Sequence, residues 1–238
     1  MILYVNGDSH SAGAEAVNSH AFANDDINYR HLGRAPHPDN LKSSYGYLLA
    51  QKLGMDFHCD AESAASNNRI LRTTREYLNT NTSPDLIVIG WTTWEREEFS
   101  HDGVYYQING AGIARDWPKE VVDYYKKWLD YVNLNSKSQY WHDTIYKFHK
   151  ELLDKDIPHL FFSAFSTFRH DFIAPVEWND CYLDPYVNNG CYYNWLQDRG
   201  FLPNNQNTFH HGADAHSAWA EHLYYYLTKT KSESIMVK

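Results

Sequence analysis

A serine set directly after an apolar strand can point its hydroxyl into a crevice while its own N–H helps to bind an oxyanion. Gly7-Asp8-Ser9-His10-Ser11, which follows Ile2-Leu3-Tyr4-Val5, offers such a serine in Ser9. Taken alone, the tripeptide is a weak signal and reads first as a turn capped by Asp or Ser. A serine nucleophile also needs a base within hydrogen-bond reach, and histidine is the usual one. Near the other end the chain reads Asn207-Thr208-Phe209-His210-His211-Gly212-Ala213-Asp214-Ala215-His216. His210 lies in the loop ahead of the last helical segment and is the preferred base. His211 would point elsewhere in an extended loop, and His216 reads as a first-turn helix residue. His210, His211, Asp214 and His216 have the N/O chemistry that Zn²⁺ accepts, but neither HExxH nor a Cys-paired spacing accompanies them, so no metal and no cofactor is expected.

The elements that must position these groups are legible from periodicity. Ile2–Val5, Leu86–Ile89 and His159–Ser163 are short apolar runs bounded by turn residues, as buried strands are, and Asp56–Cys59 is a weaker candidate. Helical spacing predicts segments around Tyr45, Leu48, Leu49 and Leu53, stopped by Gly54, and around Ile70, Leu71, Tyr77 and Leu78, opened by Ser66-Asn67. Further helices are expected after Pro118 through Val132, around Ile145 to Leu153, and from Ala215 to Leu227. Strand–helix alternation with continuously apolar strands indicates an α/β fold, its parallel sheet covered on both faces. The polar stretch Asn18 to Asn40 and the aromatic-richer stretch Phe165 to Gly190 read as long loops of functional type at the carboxyl ends of the strands.

Composition excludes several classes. The 238 residues carry 21 Lys and Arg against 30 Asp and Glu, a net charge of −9, with no basic run, so nucleic acid is not an expected partner. No stretch of about 18 apolar residues is present, so no membrane span is expected. The start lacks a basic region and a long apolar stretch, which predicts no signal peptide and synthesis in the cytoplasm. Three cysteines without a CxxC spacing fit a reducing compartment. Hydrophobic residues make up 43%, enough for a core, and the length fits one domain over 1–238.

At its two ends the sequence resembles the SGNH hydrolases, also called the GDSL esterase/lipase family. Gly7-Asp8-Ser9 matches that family's N-terminal block, and His210 matches its late histidine, with Ala215 in the place of the usual Gly before the last helix. The resemblance implies a three-layer α/β/α fold with a flavodoxin-like parallel sheet and hydrolysis of an ester, with Ser9 as nucleophile and His210 as base. It further implies an oxyanion hole from the Ser9 N–H, the Ala64 N–H where the family has Gly, and the Thr92 hydroxyl where it has Asn. The family's acid, three residues before the histidine, is Asn207 here. An Asn carbonyl accepts from an imidazole but supplies no charge, so the expectation is a Ser–His dyad with Asn207 as a weak third member, or a carboxylate or main-chain carbonyl from elsewhere. The Gly-Trp-Thr and Gly-Ala-Asp-Ala-His stretches resemble sequences of tailed phages, which implies virion association.

The expected substrate is a small ester or an acetylated carbohydrate. Trp91 and Trp94, with Tyr105 and Tyr106, are the candidate sugar-stacking wall; ordinary packing under a loop is the alternative. Glu95-Arg96-Glu97-Glu98 reads as a solvated helix face or as local ion pairs of small energetic weight, with a carboxylate-binding role for Arg96 as a minor reading, and Asp25-Asp26 is a faint cation site. The competing function is a glycan- or protein-binding module that retains the scaffold without turnover, motivated by Ala64, Thr92 and Asn207. Oligomeric state is not legible.

Overall fold

The computed structural model describes residues 1–19, 36–113, 116–169 and 172–230; Asp25-Asp26 and most of the first long loop lie outside them. In chain order the elements are β1 (Ile2–Asn6), α1 (Pro38–Lys42), α2 (Tyr45–Leu53), β2 (Asp56–Cys59), α3 (Asn67–Thr80), β3 (Leu86–Trp91), β4 (Glu97–His101), β5 (Val104–Ile108), α4 (Lys119–Tyr131), α5 (Leu134–Asp154), β6 (His159–Ser163), α6 (Tyr192–Gln197) and α7 (Ala213–Thr230). Local signals set several boundaries. The Ser44 hydroxyl accepts from the Tyr47 N–H at the start of α2, and Gly54 ends that helix in the left-handed region at φ 66°. The Ser66 hydroxyl caps α3 in the same way, through the Arg69 N–H.

Four parallel strands form the main sheet in the order β2-β1-β3-β6. Every residue of β3 is buried, yet its side chains alternate between two cores. Ile87, Ile89 and Trp91 face Ile70, Leu71 and Tyr77 of α3 and Trp141, Ile145, Phe148 and Leu152 of α5. Leu86 and Val88 face Tyr45 and Leu49 of α2 and Trp219, Leu223 and Leu227 of α7. The result is the expected three-layer α/β/α arrangement, in the strand order of the flavodoxin-like doubly wound class. Burying each such large apolar side chain contributes about 1.5–3 kcal/mol, so both layers are needed to hold the sheet. No helix among the described residues is long and apolar enough to cross a membrane.

One segment departs from the expectation. Glu97 and Glu98 open β4, an antiparallel partner of β5, rather than lying on a helix. Strand geometry sends them to opposite faces. Glu97 accepts from the Tyr124 and Tyr131 hydroxyls and the Lys137 ammonium, and Glu98 forms a two-point pair with Arg72 at 2.8 Å. The hairpin turns at Asp102 (φ 48°) and Gly103 (φ 77°), the two-residue connection that suits strand twist. That Asp-Gly pair between Phe99 and Tyr105 was the available sequence signal.

Gly90, in the middle of the sheet, is fixed by close approach. A Cβ there would meet the Phe162 ring at 2.8 Å and the Ser11 Oγ at 2.8 Å. Neither side can retreat easily, because Phe162 is buried under Trp219 and Ser11 accepts from the Tyr45 hydroxyl at 2.6 Å. Gly90→Ala should therefore destabilise the fold by about 1–3 kcal/mol, read as a lowered urea midpoint with an unchanged m-value.

Candidate active site

The chain runs from β1 outward to β2 and then crosses back to β3, so the strand order reverses between β1 and β3. In open α/β sheets the crevice at such a reversal, beyond the carboxyl ends of the strands, is where ligands bind. Ser9 follows β1 and Thr92 follows β3, which puts both at this crevice. The turn that carries Ser9 is wound tightly: Ala12 N–H donates to Asp8 O at 3.0 Å and Ala14 N–H to Ser9 O at 2.9 Å. Gly7 permits the approach to β3, since a Cβ there would lie 2.9 Å from the Gly90 carbonyl oxygen. Ser9 itself is largely buried.

Asp8 fastens the two strand exits together. Its carboxylate is fully buried and accepts from the His10 N–H at 3.0 Å, the Thr92 hydroxyl at 2.7 Å and Arg96 Nη1 at 3.4 Å. A buried carboxylate is tolerated when it is satisfied in this way. The arrangement gives Arg96 an internal carboxylate as its partner. It also turns the Thr92 hydroxyl toward Asp8, which departs from the expectation that Thr92 donates to an oxyanion. The Thr92 N–H is likewise engaged, by Asn67 Oδ1 at 2.9 Å. Ala64 has a left-handed backbone at φ 64°, a conformation that glycine adopts more readily than alanine.

The C-terminal loop folds back onto the Ser9 turn. The His210 ring lies 5.4 Å from the ring of His10, the residue after Ser9. The Asn204 side chain donates to the Glu15 carbonyl at 3.0 Å, and Ala213 N–H to Ala16 O at 3.1 Å. Between these contacts, His210 Nδ1 lies 2.6 Å from Glu15 Oε2. An ionised carboxylate has no proton to give, so Nδ1 carries it and Nε2 of the neutral ring presents the lone pair. The Thr208 hydroxyl donates to the same Glu15 oxygen. Asn207, the expected partner of His210, is instead exposed, with its N–H on Asn205 Oδ1 at 2.9 Å. Glu15 was missed because it comes from the N-terminal turn, at a left-handed φ of 60° that only the surrounding contacts explain.

The expected aromatic wall is core instead. Trp91 is fully buried against Phe148 and Phe161, and Trp94 stacks face to face on Phe168 at 4.7 Å. Residue 91 still belongs to the all-buried strand β3, which explains why its ring turns inward. Tyr106 is buried, while half-exposed Tyr105 lies under the Arg72 guanidinium at 3.8 Å. The other histidines near His210 are buried and neutral. Burial, reinforced by the charges of His211 and His210, pushes His216 down to about 3; burial also pushes His211 down to about 4 and His10 well below its ordinary value. His216 Nδ1 accepts from the Tyr45 N–H at 3.3 Å, so its lone pair supports α2 rather than a reaction.

No protein-family model and no curated protein matches the chain. Among solved structures, it is similar to a carbohydrate esterase whose active site displays divergent catalytic and non-catalytic binding functions, at 14% identity and a TM-score of 0.47 over 98% of this chain and 69% of that one. It is also similar to the acetyl xylan esterase Est2A from the rumen bacterium Butyrivibrio proteoclasticus, at 14% identity and a TM-score of 0.43 over 97% and 64%. A G-D-S-L family protein from Desulfitobacterium hafniense DCB-2 matches at 13% identity and a TM-score of 0.38, over 95% and 99%. The chain thus spans about two thirds of the length of the carbohydrate esterases and nearly all of the third protein.

The neutral histidines fix a pH dependence. Below the ordinary value of 6.5 the unfolded chain takes up protons that His216 in the fold refuses until about 3. Stability is therefore complete above that ordinary value and is lost as pH falls through this window, by up to about 1.4 kcal/mol per pH unit for each such histidine. Urea midpoints measured from about pH 7.5 down to about pH 4.5 should fall, and His216→Asn should remove roughly one histidine's share of the slope.

Proposed function

We propose that the protein is a serine ester hydrolase in which Ser9 is the nucleophile, His210 the base and Glu15 the acid. The observation that carries this reading is the Glu15–His210 hydrogen bond beside the Ser9 turn. A carboxylate on Nδ1 sets the tautomer in which Nε2 can accept the serine proton, and it stabilises the imidazolium that follows. Ser9 Oγ attacks the acyl carbonyl as its proton passes to His210 Nε2. That proton then goes to the departing alcohol, and water, deprotonated by the same nitrogen, releases the acid. The backbone N–H groups of Ser9 and Ala64 hold the oxyanion. The substrate class proposed is a small ester, with acetylated carbohydrate preferred from the names of the similar proteins.

A specific observation favours a second reading, a binding module with little turnover. The Thr92 hydroxyl is spent on Asp8, and loss of one oxyanion donor typically costs about 10²–10³ in kcat. Two backbone donors and an imidazole oriented by a carboxylate outweigh that loss in our reading.

Assays with p-nitrophenyl acetate and acetylated oligosaccharides separate the two. Ser9→Ala should lower kcat/KM by at least about 10³-fold. Glu15→Gln should lower it by about 10²–10⁴-fold, through the wrong tautomer, while Asn207→Ala should leave it within roughly twofold. Glycan binding that survives Ser9→Ala, with no turnover by the unaltered protein, would establish the binding module instead.

A further inference from the structure

A second cluster lies at the other end of the sheet, around the amino end of β6. His149, on the inner face of α5, is fully buried; His159, the first residue of β6, and Cys181 are nearly so. Their ligand atoms all lie within 4.8 Å of one another, the one such group of His, Cys, Asp or Glu among the described residues. His149 Nδ1 and His159 Nε2 face each other at 2.8 Å. None of the three takes part in the hydrolase reading, and their wide spacing in the chain offers no motif.

The outer nitrogens decide what the inner ones can do. His159 Nδ1 is 2.8 Å from the Ile157 carbonyl oxygen. A carbonyl only accepts, so Nδ1 of the neutral ring carries the proton and His159 Nε2 is a lone pair aimed into the cluster. His149 Nε2 lies 3.4 Å from Asn179 Oδ1. At 2.8 Å the two inner nitrogens share a proton, so without metal His149 Nδ1 donates to His159 Nε2; moving that proton to His149 Nε2, beside Asn179 Oδ1, turns the Nδ1 lone pair to the same point. Metal-bound histidines are oriented in this manner, the far N–H held by an oxygen. Cys181 brings a thiol from the segment that runs beside β6, where Phe161 N–H donates to the Cys181 carbonyl at 2.8 Å. Two imidazoles and a thiolate supply three of the four ligands that a borderline-soft, tetrahedral divalent ion takes, with water as the fourth.

We propose that His149 Nδ1, His159 Nε2 and Cys181 Sγ form a structural site for a zinc-like divalent transition metal, joining α5, β6 and the 178–183 segment. Ligation at about 2.0–2.1 Å for nitrogen and about 2.3 Å for sulfur requires the two facing nitrogens to part to about 3.3 Å, a small rotation of the rings. On binding, the Cys181 thiol loses its proton to solvent, while both imidazoles stay neutral and the proton of His149 resides on Nε2. The site is remote from Ser9, so its effect is on stability.

The test is titration of reduced, chelator-treated full-length protein with Co²⁺, followed by displacement with Zn²⁺. The expected result is one equivalent of Co²⁺ with a thiolate-to-metal charge-transfer band in the near ultraviolet, and a Tm raised by Zn²⁺. Cys181→Ser should lose both, while Cys59→Ser, which alters a cysteine outside the cluster, keeps both. Should Cys181→Ser fail to fold, His149→Asn makes the same comparison. Absence of a charge-transfer band in the unaltered protein, or a band that persists in Cys181→Ser or His149→Asn, overturns the proposal.

Discussion

The hydrogen bond between Glu15 and His210 joins groups 195 residues apart and closes the two ends of the chain over one crevice. Both side chains are largely shielded, at 15% and 12% exposure, so their attraction is screened less than that of a surface pair. Its geometry is held from both sides. Glu15 is kept in a left-handed backbone conformation while its carbonyl accepts from Asn204, and its carboxylate also receives the Thr208 hydroxyl. Backbone strain of this type persists only where surrounding contacts over-determine it. Here they fix the tautomer of the imidazole, and with it the direction in which a proton can move.

Beneath that contact a buried polar network stiffens the floor of the crevice. The Asn6 amide nitrogen at the end of β1 shares its two protons among the Tyr4 hydroxyl, the Ile70 carbonyl and the Thr73 and Thr74 hydroxyls, while its oxygen accepts from the Gly7 N–H. Asp8 then binds the exits of β1 and β3 through Thr92 and Arg96. Satisfied networks of this kind rigidify and specify one arrangement, because any unpaired member would be costly in a low-dielectric interior. The same network spends the Thr92 hydroxyl. The hydroxyl serves the rigidity of the serine turn, through its bond to Asp8.

Much of the scaffold was legible because it rests on local rules. The runs at Leu3, Val88 and Leu160 read as strands because each is short, apolar and bounded by turn residues, and parallel strands covered on both faces need no polar alternation. Ser66 and Gly54 marked helix ends because capping is a one-turn interaction. Where local rules were ambiguous, the reading erred. Glu97 and Glu98 looked solvated because charge is usually exposed, but strand geometry buried each carboxylate against its own partners. Trp91 and Trp94 looked available because they follow a strand toward the crevice, but side-chain direction is set by strand parity and by the helices packed above.

The sequence by itself determined the layers of the fold, and it marked Ser9 and His210 as candidates for a nucleophile and a base, since residue type and short-range spacing encode those features. Only the tertiary structure decided which acid faces the imidazole, that Thr92 serves Asp8, and that two histidines and a cysteine converge beneath β6. Those outcomes depend on side chains brought together across long stretches of chain, by packing energies spread over the whole core, and no local pattern records them.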